Sequence, residues 1–241
     1  MLKILTLNLN YDQDGFGSWD LRRERIVALL RDEHPQLVAL QAVCARPDCD
    51  QARELAERLD YPHKLFMAAR ESEPERGCAI LSRIPLSAPW SYALPRTDSD
   101  EDPSFRRAMG ATFAWQGEVW QFTNVHCSWV PNQNHAQTAA LARALSVFPG
   151  PQCLAGDFNA PPDAAGIRVL TQSAWLDSHA ASPRPPGPTF PADNPQTRID
   201  YIFVNGVAPQ RILDARPAPN DGPPLSDHKA YLLTLGVRAA S

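Results

Sequence analysis

The sequence is poor in lysine, has no long apolar run and has no even set of cysteines. Each lack excludes something. Of 23 basic residues only Lys3, Lys64 and Lys229 are lysines, and 27 acidic residues leave a formal charge of −4. With a pI near 5.9, the chain is not one that holds nucleic acid by bulk positive charge. Local engagement of phosphate remains open, because arginine grips phosphate bidentately. No stretch approaches the ~18 apolar residues of a membrane-spanning helix. Met1 to Leu7 already reads as a strand. It lacks the charged region, long apolar region and small-residue cleavage site of a signal peptide, so the expected location is the cytoplasm. The five cysteines (Cys44, Cys49, Cys78, Cys127 and Cys153) are odd in number, which argues against a disulfide framework. Cys78, Cys127 and Cys153 sit in apolar runs and read as core. Cys44 and Cys49 bracket a short loop and suit a local pair; a zinc site would need two more thiols or imidazoles at matching spacing. No repeat is present.

What is there reads as one domain over residues 1–241, long enough to bury a sizeable core. Apolar strands alternate with amphipathic helices. Strands are expected at 2–9, 37–41, 78–82, 111–115, 119–126, 152–155, 199–204 and 230–235. Helices are expected at 20–33, 50–59, 133–148 and 164–171. In the first helix Leu21, Ile26, Leu29 and Leu30 form the buried face, with Arg22, Arg23 and Arg25 elsewhere. Three polar segments interrupt the pattern: 11–19, 94–107 and the proline-rich 179–196. Long loops in a compact domain are often functional, so these are the expected substrate-facing rim.

Polar residues recur where apolar strands end: Asn8, His126, Asp157 with Asn159, Asp200, and Asp227 with His228. Ligand groups on α/β scaffolds gather at strand ends. Carboxylate and amide oxygens suit Mg²⁺. An Asp–His pair can stabilise a phosphorane-like anion, a free Asp can orient or deprotonate water, and Asn can donate to a phosphate oxygen. Together these types describe metal-assisted phosphoester hydrolysis.

Thr6-Leu7-Asn8, Leu40-Gln41, Ala79-Ile80-Leu81-Ser82-Arg83, Asn124-Val125-His126, Gly156-Asp157-Phe158-Asn159, Arg198-Ile199-Asp200-Tyr201 and Ser226-Asp227-His228 occur in that order. This ordered set resembles the endonuclease/exonuclease/phosphatase superfamily, which shares the deoxyribonuclease I-like fold. The resemblance implies a four-layer α/β sandwich, with two mixed sheets face to face and helices outside. It implies Mg²⁺, or Mn²⁺, as cofactor. It also implies roles: Asn8 beside the metal, Asp157 on the nucleophilic water, Asn159 on the scissile phosphate and His126 on a phosphate oxygen. Asp200 would pair with His228, which would stabilise the transition state, and Asp227 would bind metal or fix the final loop.

One position departs. Where the family usually reads Leu-Gln-Glu, this chain reads Leu40-Gln41-Ala42, and alanine has no side-chain oxygen for a metal. Three readings compete: a deliberate replacement that traps substrate or product, natural loss of activity, or a neighbour (Asp12, Asp14 or Asn10) reaching the metal. The intact remainder favours the first, an impaired enzyme. Arg106 and Arg107 follow the acidic run Asp98 to Asp102 and suit either substrate phosphate or that run. Trp129 and Trp90 suit base stacking or the ordinary filling of a core edge. The expected substrate is a phosphodiester, nucleic acid or nucleotide. A phosphomonoesterase, a lipid phosphodiesterase and a catalytically inactive phosphate-binding module are the alternatives.

Overall fold

The computed structural model describes all residues except 98–100, 186, 220–221 and 238–241. Asp98 and Asp100 of the acidic run thus lie outside the described residues. In chain order the elements are β1 (Leu2–Asn8), α1 (Trp19–Glu33), β2 (Leu37–Arg46), β3 (Cys49–Asp50), α2 (Gln51–Leu59), β4 (His63–Ala68) and β5 (Arg76–Ser82). There follow β6 (Ser87–Ala93), β7 (Arg107–Trp115), β8 (Glu118–His126), α3 (Pro131–Leu145), β9 (Gln152–Asp157) and α4 (Ala165–Thr171). The chain continues through β10 (Leu176–Asp177), β11 (Asp200–Asn205), β12 (Ile212–Pro217) and β13 (Tyr231–Leu235).

Two mixed sheets form among the described residues. One runs β12-β13-β1-β2-β5-β4, with β3 attached to β2; the other runs β10-β11-β9-β8-β7-β6. Each contains one parallel pair, β1 with β2 and β8 with β9.

The layering follows from the two-residue period of a strand. On β1, Leu2 and Ile4 face the other sheet, joining Leu37, Ile80, Phe122, Cys153, Ile202 and Leu233 in the core between the sheets. The alternate residues, Leu5 and Leu7, face outward onto Ile26 and Leu30 of α1 and Leu55 and Leu59 of α2. The second sheet repeats the arrangement, with Val125, Leu154 and Phe203 packed on Leu141, Leu145, Ile167 and Leu170 of α3 and α4. The result is the expected α/β/β/α sandwich.

The expected strands are all interior ones. The four strands at the sheet edges, β4, β6, β10 and β12, are additions to the expectation. An edge strand is half-covered; the apolar run Leu65 to Ala68 of β4 is only partly buried, and β6 holds Pro89 in a mostly exposed segment, which an edge tolerates. Helix α1 corrects another expectation. Leu21 is 56% exposed whereas Arg22 is fully buried. Its guanidinium donates to the carbonyls of Leu9 and Tyr11, both at 2.6 Å, and of Leu225 at 3.3 Å. Arg22 therefore ties α1 to the segment after β1 and to the approach to His228. All five cysteines are buried free thiols.

Candidate active site

Between the sheets, each central strand changes from apolar to polar toward the same end of the sandwich. The face that begins with Leu2 and Ile4 continues to Thr6 and Asn8. The same step of two leads to Gln41 on β2, Asn124 and His126 on β8, Asp157 on β9 and Asp200 on β11. Gln41 Nε2 donates to Asn124 Oδ1 at 2.7 Å across the sheets, and Asn124 Nδ2 donates to the Leu40 and Ala79 carbonyls at 2.9 and 2.8 Å. These two motif residues tie the sheets together just beneath the polar end. Their sequence signal, polar residues in apolar strands, does not separate tie from catalyst.

Register places Asp157 at the centre. It is paired with His126 on β8 and with Asp200 on β11. Asn8 Nδ2, from the other sheet, donates to Asp157 Oδ2 at 2.8 Å. The Asp157 carboxylate lies 3.4 Å from His126 Nε2 and 3.7 Å from His228 Nε2, and its Oδ1 accepts the Asn159 amide at 2.8 Å. His228 Nδ1 lies 3.0 Å from Asp200 Oδ2. Asp200 itself is braced by the 179–196 segment, for Thr189 Oγ1 accepts the backbone N–H of Ile199 and Asp200. The same segment holds Asp227 and Lys229 through Ala192 N to the Asp227 carbonyl and Lys229 N to the Thr189 carbonyl. Ser226 Oγ donates to Asp227 Oδ1 at 2.8 Å.

The charges divide by environment. Burial opposes charge on His228, but Asp200 and Asp157 outweigh it and push its pKa up to about 10, so it is an imidazolium at neutral pH. Burial raises Asp157 to about 6, and Asp200 adds to the rise while His228 opposes it. His126 has no carboxylate stronger than its burial; desolvation, Arg106 and His228 hold its pKa well below the usual value, so it stays neutral. The end of the sandwich thus holds an ionised carboxylate, a cationic imidazole and a neutral one.

These groups open into a cavity of about 610 Å³ lined by Asn8, Ala42, His126, Asp157, Asn159, Asp227 and His228. Asp200 stands behind His228, outside the lining. Asn10, Tyr11, Ala42 and Asn159 have φ of 52°, 53°, 48° and 50°, the left-handed region that costs non-glycine residues energy. All four line the cavity, as strained residues at functional sites do. Ala42 sits in the bulge of β2 between Leu40 and Val43, its carbonyl accepting the Tyr11 amide at 2.7 Å.

Ala42 lines the cavity with a methyl group. Asp12 is corrected as a substitute ligand, because its carboxylate is turned onto Arg46 at 2.8 Å. Neither Asp12 nor Asp14 reaches the cavity lining; Asn10 does. The ligating atoms of Asp157, Asp200 and His228 lie within 4.8 Å of one another, but they are bonded among themselves around a cation. What is left in the lining for a hard ion is the amide oxygens of Asn8, Asn10 and Asn159 and the carboxylate of Asp227, since Glu73 is paired with Arg70. This donor set does not fit a resident Mg²⁺ or Mn²⁺, which wants more carboxylate charge when no phosphate is bound.

All three expected rim segments reach the cavity, through Tyr11, through Pro103 to Arg107, and through Phe190. Arg106 serves both readings: it lines the cavity and its Nη2 pairs with Asp102 at 3.1 Å. Arg107 and Trp129 also line it, Trp129 at 51% exposure beneath Arg106. Trp90 does not; it packs on Phe148 at 5.1 Å. A fourth segment, outside the three expected, also forms the rim. The β4–β5 connection brings Arg70 and Glu73, and the start of β5 brings Arg76. Its signal was the charged run before Cys78, which reads equally as a solvated turn.

The profile of the Endonuclease/Exonuclease/phosphatase family matches residues 5–228. No curated protein matches the sequence at a significant level. Among solved structures, an endonuclease/exonuclease/phosphatase from Bacteroides vulgatus is 20% identical with a TM-score of 0.82, over 98% of this chain and 99% of its own. A mannosyl-6-phosphatase from Bacteroides thetaiotaomicron is 16% identical with a TM-score of 0.80, over 98% and 100%. A 3′ phosphatase from Neisseria, bound to product DNA hairpin, is 19% identical with a TM-score of 0.71, over 98% and 100%. At these identities the likeness speaks for the fold.

Proposed function

The chain belongs to the Endonuclease/Exonuclease/phosphatase family, and from that premise we propose that its cavity is a phosphoester-hydrolase site impaired by Ala42. Members of this family hydrolyse phosphoesters and are generally dependent on a divalent metal. The observation that carries the reading is Asp157, a buried carboxylate held by Asn8, His126 and His228 in the lining of the cavity.

Asp157 orients the attacking water and accepts its proton as the new P–O bond forms and the ester P–O bond breaks. His228, kept cationic by Asp200, stands against the charge that gathers on the phosphoryl oxygens. Neutral His126 donates an N–H to a phosphoryl oxygen. Asn159 holds the phosphate; its Nδ2 donates to the Cys127 carbonyl at 3.0 Å and to Asp157 Oδ2 at 3.4 Å, which fixes the side chain beside Asp157. A metal at this end supplies Lewis-acid charge in active members, and Ala42 removes a carboxylate that would hold it. The substrate expectation of a phosphodiester, nucleic acid or nucleotide belongs to the same reading.

Ala42 also favours a second reading, a phosphate-binding module that no longer turns over. One comparison separates the two. The native chain and Ala42→Glu are assayed side by side with Mg²⁺ or Mn²⁺ against EDTA. The substrates are single-stranded and duplex DNA, RNA, an abasic duplex, p-nitrophenyl phosphate and its bis ester. Ala42→Glu is expected to gain metal-dependent hydrolysis by about 10²-fold or more, since a Lewis-acid metal is worth several kcal/mol. Adding Asp157→Asn is expected to abolish that gain while circular dichroism stays unchanged. No turnover from Ala42→Glu on any substrate would sink the hydrolase reading and leave the binding module.

A further inference from the structure

In the cavity lining, the segments 69–76 and 103–107 contribute four arginines, Arg70, Arg76, Arg106 and Arg107, against one carboxylate, Glu73; Glu71 and Glu75 of the same segment lie outside the lining. Two are compensated internally, Arg106 by Asp102 and Arg70 by Glu73. The other two are not. Arg76 lies over the Tyr11 ring at 4.8 Å. Arg107 meets only Ser91 Oγ at 3.3 Å and the Met67 sulfur at 3.7 Å, and its Nε is buried without a partner. Neither has a carboxylate partner among the described residues. In a chain of net charge −4, two unpaired guanidiniums in a concave wall are positioned for an anion that the protein itself does not supply.

The reaction residues Asp157, Asn159 and His228 already account for one phosphate on the floor, so the wall answers to a second. Two rings stand at the mouth between guanidiniums. Phe105, 42% exposed, has Arg70 and Arg96 over it at 5.0 and 4.8 Å, and Trp129 lies beneath Arg106 at 5.5 Å. Partly exposed beside these guanidiniums, the two side chains offer apolar ring surface to a ring that links the two anions. The volume of about 610 Å³ falls within the ~300–1,000 Å³ of small-molecule pockets.

We infer that Arg76 and Arg107 form a second phosphate subsite, and that the ligand is a small ring compound carrying two phosphates rather than a polynucleotide. This rests on the phosphoester reading of the cavity floor. A monophosphate fills the floor alone, a bisphosphate fills floor and wall, and a polynucleotide needs a continuous basic track, which a net charge of −4 does not favour.

The test is isothermal titration of the native chain with adenosine 5′-monophosphate, adenosine 3′-monophosphate, adenosine 3′,5′-bisphosphate and a twelve-residue oligothymidylate. The bisphosphate is expected to bind at least tenfold more tightly than either monophosphate. Arg76→Ala, an exposed position whose variant retains the fold, brings that ratio below about threefold, and Arg76→Lys restores part of it. Asn159→Ala weakens all three nucleotides together and so reports on the floor. A ratio near one in the native chain, a ratio untouched by Arg76→Ala, or tighter binding of the oligothymidylate would overturn the subsite while the phosphoester reading stands. Absence of binding by every phosphate compound would remove both.

Discussion

His228 has the most decisive surroundings of any single residue in the site. Its charge is set by two carboxylates, Asp200 at 3.0 Å and Asp157 at 3.7 Å. In proton NMR its C2 proton is expected to hold the imidazolium position through neutral pH and to titrate only near 10. Asp200→Asn removes the nearer charge and lowers that midpoint by about 1–3 pH units, the range for an opposite charge at contact. The sign for stability follows. A pKa raised above the unfolded value of ~6.5 gives His228 a stabilising contribution that is fully present below ~6.5 and lost as pH climbs toward the folded value. Chemical denaturation at pH 6 and pH 9 checks this, and a midpoint in Asp200→Asn equal to that of the native chain would remove Asp200 as the cause.

At the scale of elements, the site depends on β8 and β9 lying close enough to set His126 beside Asp157. Gly156 makes this approach possible. Its φ is 153°, and a Cβ there would stand 2.0 Å from the Val125 carbonyl. Gly156→Ala must push the two parallel strands apart, one residue before the His126–Asp157 pair. It is expected to cost on the order of 3 kcal/mol, as overpacking of a close interior contact does, read as a lower denaturation midpoint at unchanged slope. In the Ala42→Glu background it also lowers turnover, because Asp157 moves with its strand. The same scale explains which strands were legible. Interior strands such as β1, β9 and β11 are covered on both faces and read as apolar runs. The edges β4, β6, β10 and β12 are paired on one side only, each with the next strand in the chain, and so bury less of their length.

For the molecule as a whole, charge is distributed against its total. The net charge is −4, yet one cavity wall is arginine-rich and its floor holds a cationic histidine. Among the described residues no helix is long and apolar enough to cross a membrane. A local basic wall without a basic face predicts weak, salt-sensitive contact with duplex DNA. A fluorescently labelled duplex is expected to show no saturable anisotropy change with the native chain at ~150 mM salt below about 10⁻⁴ M, the weak end of non-specific binding. Micromolar duplex binding under those conditions would point to a basic track beyond the cavity.

Asn8, His126, Asp157, Asn159, Asp200 and His228 were readable as a set from sequence, because each stands at one end of an apolar strand and strand periodicity is local. The loss at Ala42 was readable for the same reason, through its place after Leu40-Gln41. The sequence did not determine which oxygens remain near Ala42; only the turn of Asp12 onto Arg46 decided that. Nor did it place Arg22, whose burial depends on carbonyls of Leu9, Tyr11 and Leu225, the last 203 residues away. The Gln41–Asn124 tie and the arginines of 70–76 were likewise fixed by packing of the two sheets. Hydrophobic period and motif order are written in neighbouring residues. Which polar groups meet, and which charges stay unpaired, is written in contacts between residues far apart in the chain.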